Sequence, residues 1–255
     1  MSGARPPEGT RTAAEGGGHP DERRPAASRR SDRSQQAEEI PMSDALARMG
    51  NGFADPVHGS QQAFRTLLGA IAEPGRLHAL PASAVAGLDP QDIEMRPPFG
   101  IALAAALLTL LDADTPVHLA GALANDERRA WLRFHTGARE TSAIAAMTAA
   151  AAPDIDTALC EGLALGTDDA PQSGATLFVE VEALSDLPLA GAIALKLRGA
   201  GIESSRDLAV AGLPAAFWQW RITLQAELPR GVDLVLTCGT RLAAIPRSTR
   251  IQIEA

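Results

Sequence analysis

The sequence predicts an α/β fold, a mixed β-sheet layered with helices, and three observations carry that expectation. Short apolar runs rich in β-branched residues alternate along the chain with segments of helical periodicity. One run, Val232 to Leu236, is apolar on both faces, the pattern of a strand covered on both sides. The 255 residues are 45% hydrophobic, enough for a core that needs neither disulfides nor structural metal.

Residues 1–41 consist of Arg, Glu, Gly, Pro and Ser with almost no large apolar side chain, so a disordered tail is expected. It mixes both charges, unlike a transit peptide, and lacks the apolar centre of a signal peptide. Met42-Ser43-Asp44 reads as a natural start, which would make the tail an upstream translation artefact. Residues 42–255 are read as a single domain.

Asp55-Pro56 starts a helix whose apolar face takes Ala63, Phe64, Leu67, Leu68 and Ile71, and Pro74-Gly75 stops it. Arg76 to Leu80 reads as a short strand. Phe99 to Leu111 is apolar almost all round, hence a central helix, and too short for a bilayer, which needs roughly 20 residues. Thr115 to Leu119 reads as a buried strand, and Asn125-Asp126 caps a helix bearing Trp131, Leu132 and Phe134. The Ala-rich stretch from Thr141 to Leu165 is ambiguous; a strand near Ile144 and a helix from Ile155 to Leu163 are expected. Strands follow at Ala175–Val181 and Ala192–Leu197, then a long helix from Leu213 to Leu228 with Phe217, Trp218 and Trp220. After Val232–Leu236, Cys238-Gly239-Thr240 turns the chain into a second short strand, Leu242–Ile245. Pro246 belongs at a strand end.

Composition excludes some functions. Net charge is -8 and Lys196 is the only lysine, which disfavours broad nucleic-acid binding. Cys160 and Cys238 lack CxxC spacing, as in a reducing cytoplasm. His58 and His78 have no metal-ligand spacing.

Several motifs invite a chemical reading. Asp112-Ala-Asp114-Thr115-Pro116 resembles an Asp-x-Asp phosphotransfer pair, but a helix precedes it and Pro116 occupies the slot of a Thr or Val, so a turn with local hydrogen bonds from Asp114 and Thr115 is expected. Arg133-Phe134-His135-Thr136 puts a cation and an imidazole at a helix end without a neighbouring nucleophile. His118 reads as a strand residue with a backbone partner. Cys238 reads as a small buried thiol rather than a nucleophile. Gly199-Ala-Gly201-Ile-Glu-Ser204 resembles the start of a dinucleotide fingerprint without its third Gly. Lys196 could in principle carry a pyridoxal Schiff base, but it alternates within a strand.

The ordered set Asp55-Pro-Val-His-Gly-Ser-Gln-Gln-Ala-Phe-Arg65, Glu73-Pro-Gly75, Asp112 to Val117, Leu132 to Thr136, Gly174 to Leu177, Gly199 to Ile202 and Gly231 to Thr249 resembles the PhnH family of the bacterial carbon-phosphorus lyase system. The resemblance runs from about Phe53 to Ile253. It implies a fold like the large domain of pyridoxal phosphate transferases with the cofactor site lost, and a non-catalytic, cytoplasmic subunit that works with PhnG, PhnI and PhnJ in alkylphosphonate catabolism. With PhnL, that system joins a phosphonate to the ribose of ATP, forming ribose 1-alkylphosphonate 5-triphosphate and releasing adenine. Its iron-sulfur and SAM chemistry belongs to PhnJ, so no cofactor is expected on this chain, and no catalytic residue is implied. Arg65, Asp114, Arg133, His135 and Arg247 are the candidate interface contacts or structural pins, and the isolated chain could form a homodimer. The competing readings are a stand-alone nucleotide-binding module through the Gly199 turn and a pyridoxal- or thiol-dependent transferase through Lys196 or Cys238.

Overall fold

The structure is a computed structural model that describes residues 50–254 apart from positions 92 and 145. The expected tail, residues 1–41, and the first residues of the domain up to 49 lie outside the described residues.

Helix α1, Pro56–Ala72, starts where the sequence places it: Asp55 Oδ1 accepts the amides of Val57 and His58 at 3.1 and 3.0 Å, with Pro56 in the first turn. The chain continues through β1 (His78–Ala79), the short α2 (Ala82–Val85), the apolar α3 (Ile101–Leu110) and β2 (Val117–Leu119). Helix α4, Asp126–Thr136, is capped by Asn125 Oδ1, 3.0 Å from the Arg128 amide, and closed by Gly137 at φ 72°. Then come β3 (Met147–Ala151), α5 (Thr157–Gly162), β4 (Thr176–Glu180), β5 (Ala183–Ser185), β6 (Ile193–Arg198) and β7 (Arg206–Ala211). The chain ends with α6 (Ala215–Thr223), β8 (Asp233–Cys238), β9 (Arg241–Ile245) and β10 (Arg250–Ile253).

Two sheets result. A six-stranded sheet runs β1-β9-β8-β4-β3-β2, with β2, β3, β4 and β8 mutually parallel and β9 antiparallel to both β8 and β1. A four-stranded antiparallel sheet runs β10-β6-β7-β5. Alternation along the central strands sends side chains to two cores. Leu177, Val179, Leu234, Leu236, Ala243 and Ile245 face a core shared with the second sheet, α5 and α6. Phe178, Val235, Leu242 and Ala244 face one shared with α1, α3 and α4. The six-stranded sheet is therefore covered by helices on one face and by the second sheet with two helices on the other. No described helix is long and apolar enough to cross a membrane.

Several expectations require correction. The strand placed near Ile144 lies at Met147–Ala151, with Ile144 in the preceding loop against the core, because a run of alanines has no contrast with which to mark an edge. The strand at Arg76–Leu80 shrinks to two residues, and the helix at Ile155–Leu163 to Thr157–Gly162 behind the cap of Asp156. The last helix breaks at Leu224 into a 3-10 turn, Leu224–Glu227. The second sheet was not anticipated: β7 opens on Arg206-Asp207, β5 has only three residues, and β10, although Arg250-Ile-Gln-Ile253 alternates, pairs with β6 more than fifty residues earlier. The face assigned to α1 is split. Ala63 and Leu67 point inward with Gly59 and Ala70, whereas Phe64, Leu68 and Ile71 are half exposed.

Candidate functional site

In open parallel sheets, ligands enter at the carboxyl edge of the strands. The centre of that edge here is filled by the chain itself. Glu180, the last residue of β4, places its carboxylate at the N-terminus of α3, and Oε2 accepts the Gly100 amide at 3.3 Å. A Cβ on Gly100 would stand 2.3 Å from Glu180 Oε1, so any side chain there would push this carboxylate aside. A helix N-terminus attracts anions, and an internal carboxylate supplies the negative charge at this one.

Beyond β4, a crevice of about 640 Å³ opens past the ends of β2 and β3. Its ionic groups and imidazole are already engaged. His118 Nδ1 meets Thr141 O at 3.0 Å, Arg129 bridges Asp126 and Glu140 at 3.1 and 3.3 Å, Asp154 accepts the Ala122 amide at 2.8 Å, and Asp156 caps α5. The crevice has room but lacks a convergent set of free donors. Among the described residues no group of three or more His, Cys, Asp or Glu could hold a metal ion.

The residues singled out by sequence do not converge. Arg65 is exposed on α1, on the wall of a groove of about 350 Å³ shared with Ser60, Gln61, Phe64 and Thr109, and its guanidinium makes no hydrogen bond or ion pair with described residues. Arg133 is likewise exposed on α4, with no hydrogen bond or ion pair from its guanidinium to described residues. Asp114 sits in the expected turn, but the capping carboxylate belongs to Asp112, whose Oδ1 accepts the Asp114 amide at 3.0 Å and the Thr115 hydroxyl at 2.8 Å. Those bonds, the Thr115 hydroxyl first, hold the Asp112 carboxyl below its ordinary value.

His135 is half-buried, its ring centroid 4.7 Å from that of Trp131 with the planes tilted by 53°, and its Nε2 is 3.2 Å from Gly50 O. Burial pushes its pKa down, so the ring is neutral, with Nε2 as donor. Arg247 is the most fully engaged of the five. Its amide and Nε reach Asp233 Oδ1 at 2.7 and 3.2 Å, Nη2 reaches Oδ2 at 2.5 Å, and Nη1 donates to Pro171 O. This fork ties the start of β8 to the exit of β9 and to the loop before β4.

The motifs behind the competing readings are placed as follows. Lys196 is paired with Glu254 and, at 3.6 Å, Asp207 on the second sheet, and the Glu254 hydrogen bond raises its pKa. Gly199 and Gly201 lie in the β6–β7 hairpin, where no helix follows, and a Cβ on Gly201 would be 2.2 Å from Ala72 O. At Gly201 the turn is packed onto the end of α1. The Cys238 thiol is 3.4 Å from Glu182 O. Burial, reinforced by Asp156 and Glu161, pushes the Cys160 thiol up to about 11. It lines a small apolar cleft of about 110 Å³ between α5 and α6 with Phe217 and Trp220.

Two residues escaped the sequence reading. Arg221 is 1% exposed, and burial lowers its pKa to about 10; Nη2 donates to Pro246 O at 2.9 Å. Its spacing of four from buried Phe217 was the signal that it shares the inward face of α6. Glu180 had none, since only tertiary packing brings α3 to the end of β4.

Comparison with known proteins covers most of the described residues. The sequence profile of the family described as bacterial phosphonate metabolism protein (PhnH) matches residues 51–252. The PhnH subunit of alpha-D-ribose 1-methylphosphonate 5-triphosphate synthase from Rhizobium meliloti (strain 1021) is 37% identical over 209 residues, covering 79% of this chain and 94% of that protein. HtxG of Stutzerimonas stutzeri, described as a C-P lyase subunit protein, is 31% identical over 198 residues, covering 76% of this chain and 86% of its own length.

Proposed function

The chain belongs to the PhnH family of bacterial phosphonate metabolism proteins, and from that membership we propose that it is a non-catalytic subunit of the C-P lyase complex. Its role is to complete the assembly that converts ATP and an alkylphosphonate into ribose 1-alkylphosphonate 5-triphosphate. The observation that carries this reading is the span of the family match, residues 51–252, which takes in nearly every element of the fold rather than one motif. The chemistry of the described residues supports it: the polar groups at the carboxyl edge of the sheet are spent on one another, and Lys196 is tied to two carboxylates.

On this reading PhnG, PhnI and PhnJ are the partners, the iron-sulfur and SAM chemistry stays with PhnJ, this chain binds no cofactor, and the work is done in the cytoplasm. The parallel strands β2, β3, β4 and β8 with α3 at their edge are then the remnant of a pyridoxal transferase large domain in which Glu180 stands on the anion-binding helix terminus. Co-expression of the full chain with PhnG, PhnI and PhnJ tests the role. The four proteins are expected to co-elute as one species; a chain that stays free while the other three assemble would refute it.

A further inference from the structure

The outer face of α1 carries Val57, Phe64, Leu68 and Ile71, which are 68, 50, 54 and 50% exposed. At about 100° per residue these four fall within an arc of about 60° and run roughly 21 Å along the axis, one continuous apolar stripe. The helix is inverted relative to the usual amphipathic arrangement. Its buried face is made of Gly59, Ala63, Leu67 and Ala70, so small residues let it lie close to the layer below while larger ones face outward. The 17-residue helix contains no Asp or Glu, although the chain carries 31 of them, and Arg65 is its one formal charge. Charge depletion with an aromatic residue and an Arg is the composition of an interface core.

We propose that this stripe is the seat of a different subunit of the complex, one presenting an apolar ridge and a carboxylate that enters the groove beside Phe64 to pair with Arg65. The proposal rests on the subunit role stated above. Charge decides between a sister protein and a second copy. An antiparallel two-fold contact that buries the whole stripe has its axis at Phe64, the midpoint of the helix, and brings Arg65 against Arg65; a parallel one leaves each Arg65 facing an identical helix, and neither arrangement offers an acidic residue on the helix to compensate. A heterologous partner supplies the missing carboxylate; an identical helix cannot.

The test uses the full chain co-expressed with PhnG, PhnI and PhnJ. The Phe64→Glu/Leu68→Glu variant should keep the thermal midpoint of the isolated protein and be recovered in the complex at more than about 10-fold lower yield than wild type, because two carboxylates would have to be desolvated in an apolar contact. A photo-crosslinking phenylalanine analogue at position 64 reports the contact independently of that variant, and should couple to another subunit. Wild type and variant assembling equally, or a crosslink to a second copy or to nothing in the assembled complex, overturns the docking face and leaves the subunit role intact. Wild type failing to assemble overturns both.

Discussion

Arg247 shows how much of this chain's polar chemistry is structural. Its pair with Asp233 is mostly enclosed, at 15 and 32% exposure, and one guanidinium spans three segments of chain. Breaking a fully buried pair costs roughly 3–5 kcal/mol; partial screening here should reduce the loss in Arg247→Ala to about 2 kcal/mol, read as a lower urea midpoint with unchanged m. An unchanged midpoint would contradict the assigned role. Cys160 offers a chemical check. A thiol at about 11 is protonated at pH 8, so a thiol reagent should leave Cys160 unmodified in the native protein and modify it in denaturant. Rapid native labelling of Cys160 would show that its burial is misjudged. His135 sets a pH dependence. Its folded pKa is depressed by burial, so between that value and the unfolded value near 6.5 the unfolded chain binds more protons, and stability falls as pH drops below about 6.5. His78, also depressed by burial, adds in the same direction. His135→Gln should flatten the stability profile between pH 7 and 5; an unaltered slope would exclude the residue as a contributor.

At the level of elements, a helix was legible in its ends more than in its orientation. Asp55-Pro56 and Pro74-Gly75 fix α1 because capping and proline chemistry are local. Which apolar residues it buries is not local: Ala63 and Leu67 go in and Phe64, Leu68 and Ile71 stay out because the neighbours of α1 are α2, α3 and the sheet, and nothing among the described residues covers its far side. Strands β8 and β9 were readable from their apolar runs and the Gly239 turn, whereas β7 was hidden by its charged start. The hairpin it forms with β6 is held against α1 by Gly201, at φ 78°, where a side chain would meet Ala72 O. Gly201→Ala should therefore destabilise by about 1–3 kcal/mol, seen as a drop in thermal midpoint with the secondary structure of the native protein unchanged. Neutral behaviour would mean that the hairpin stands off the helix.

For the whole molecule, the α/β class was legible because alternating strand and helix patterns are global, while the division into two sheets rested on short strands whose partners lie far away in sequence. The candidate site was legible only as a list. Arg133 and His135 share α4, Arg65, Asp114 and Arg247 fall elsewhere, and the five do not assemble; sequence alone could not show that the carboxyl edge of the sheet is occupied by Glu180 and paired ions. A fold whose own groups satisfy one another at that edge is suited to presenting surface. The central claim is that this chain contributes architecture and not chemistry. Adenine release from ATP and methylphosphonate, measured for the isolated chain and for the other complex subunits together with PhnL, with and without this chain, tests this most directly. The chain alone should release none, and its addition should restore activity to the otherwise incomplete complex; turnover by the chain alone that disappears on replacing a single side chain would contradict the account.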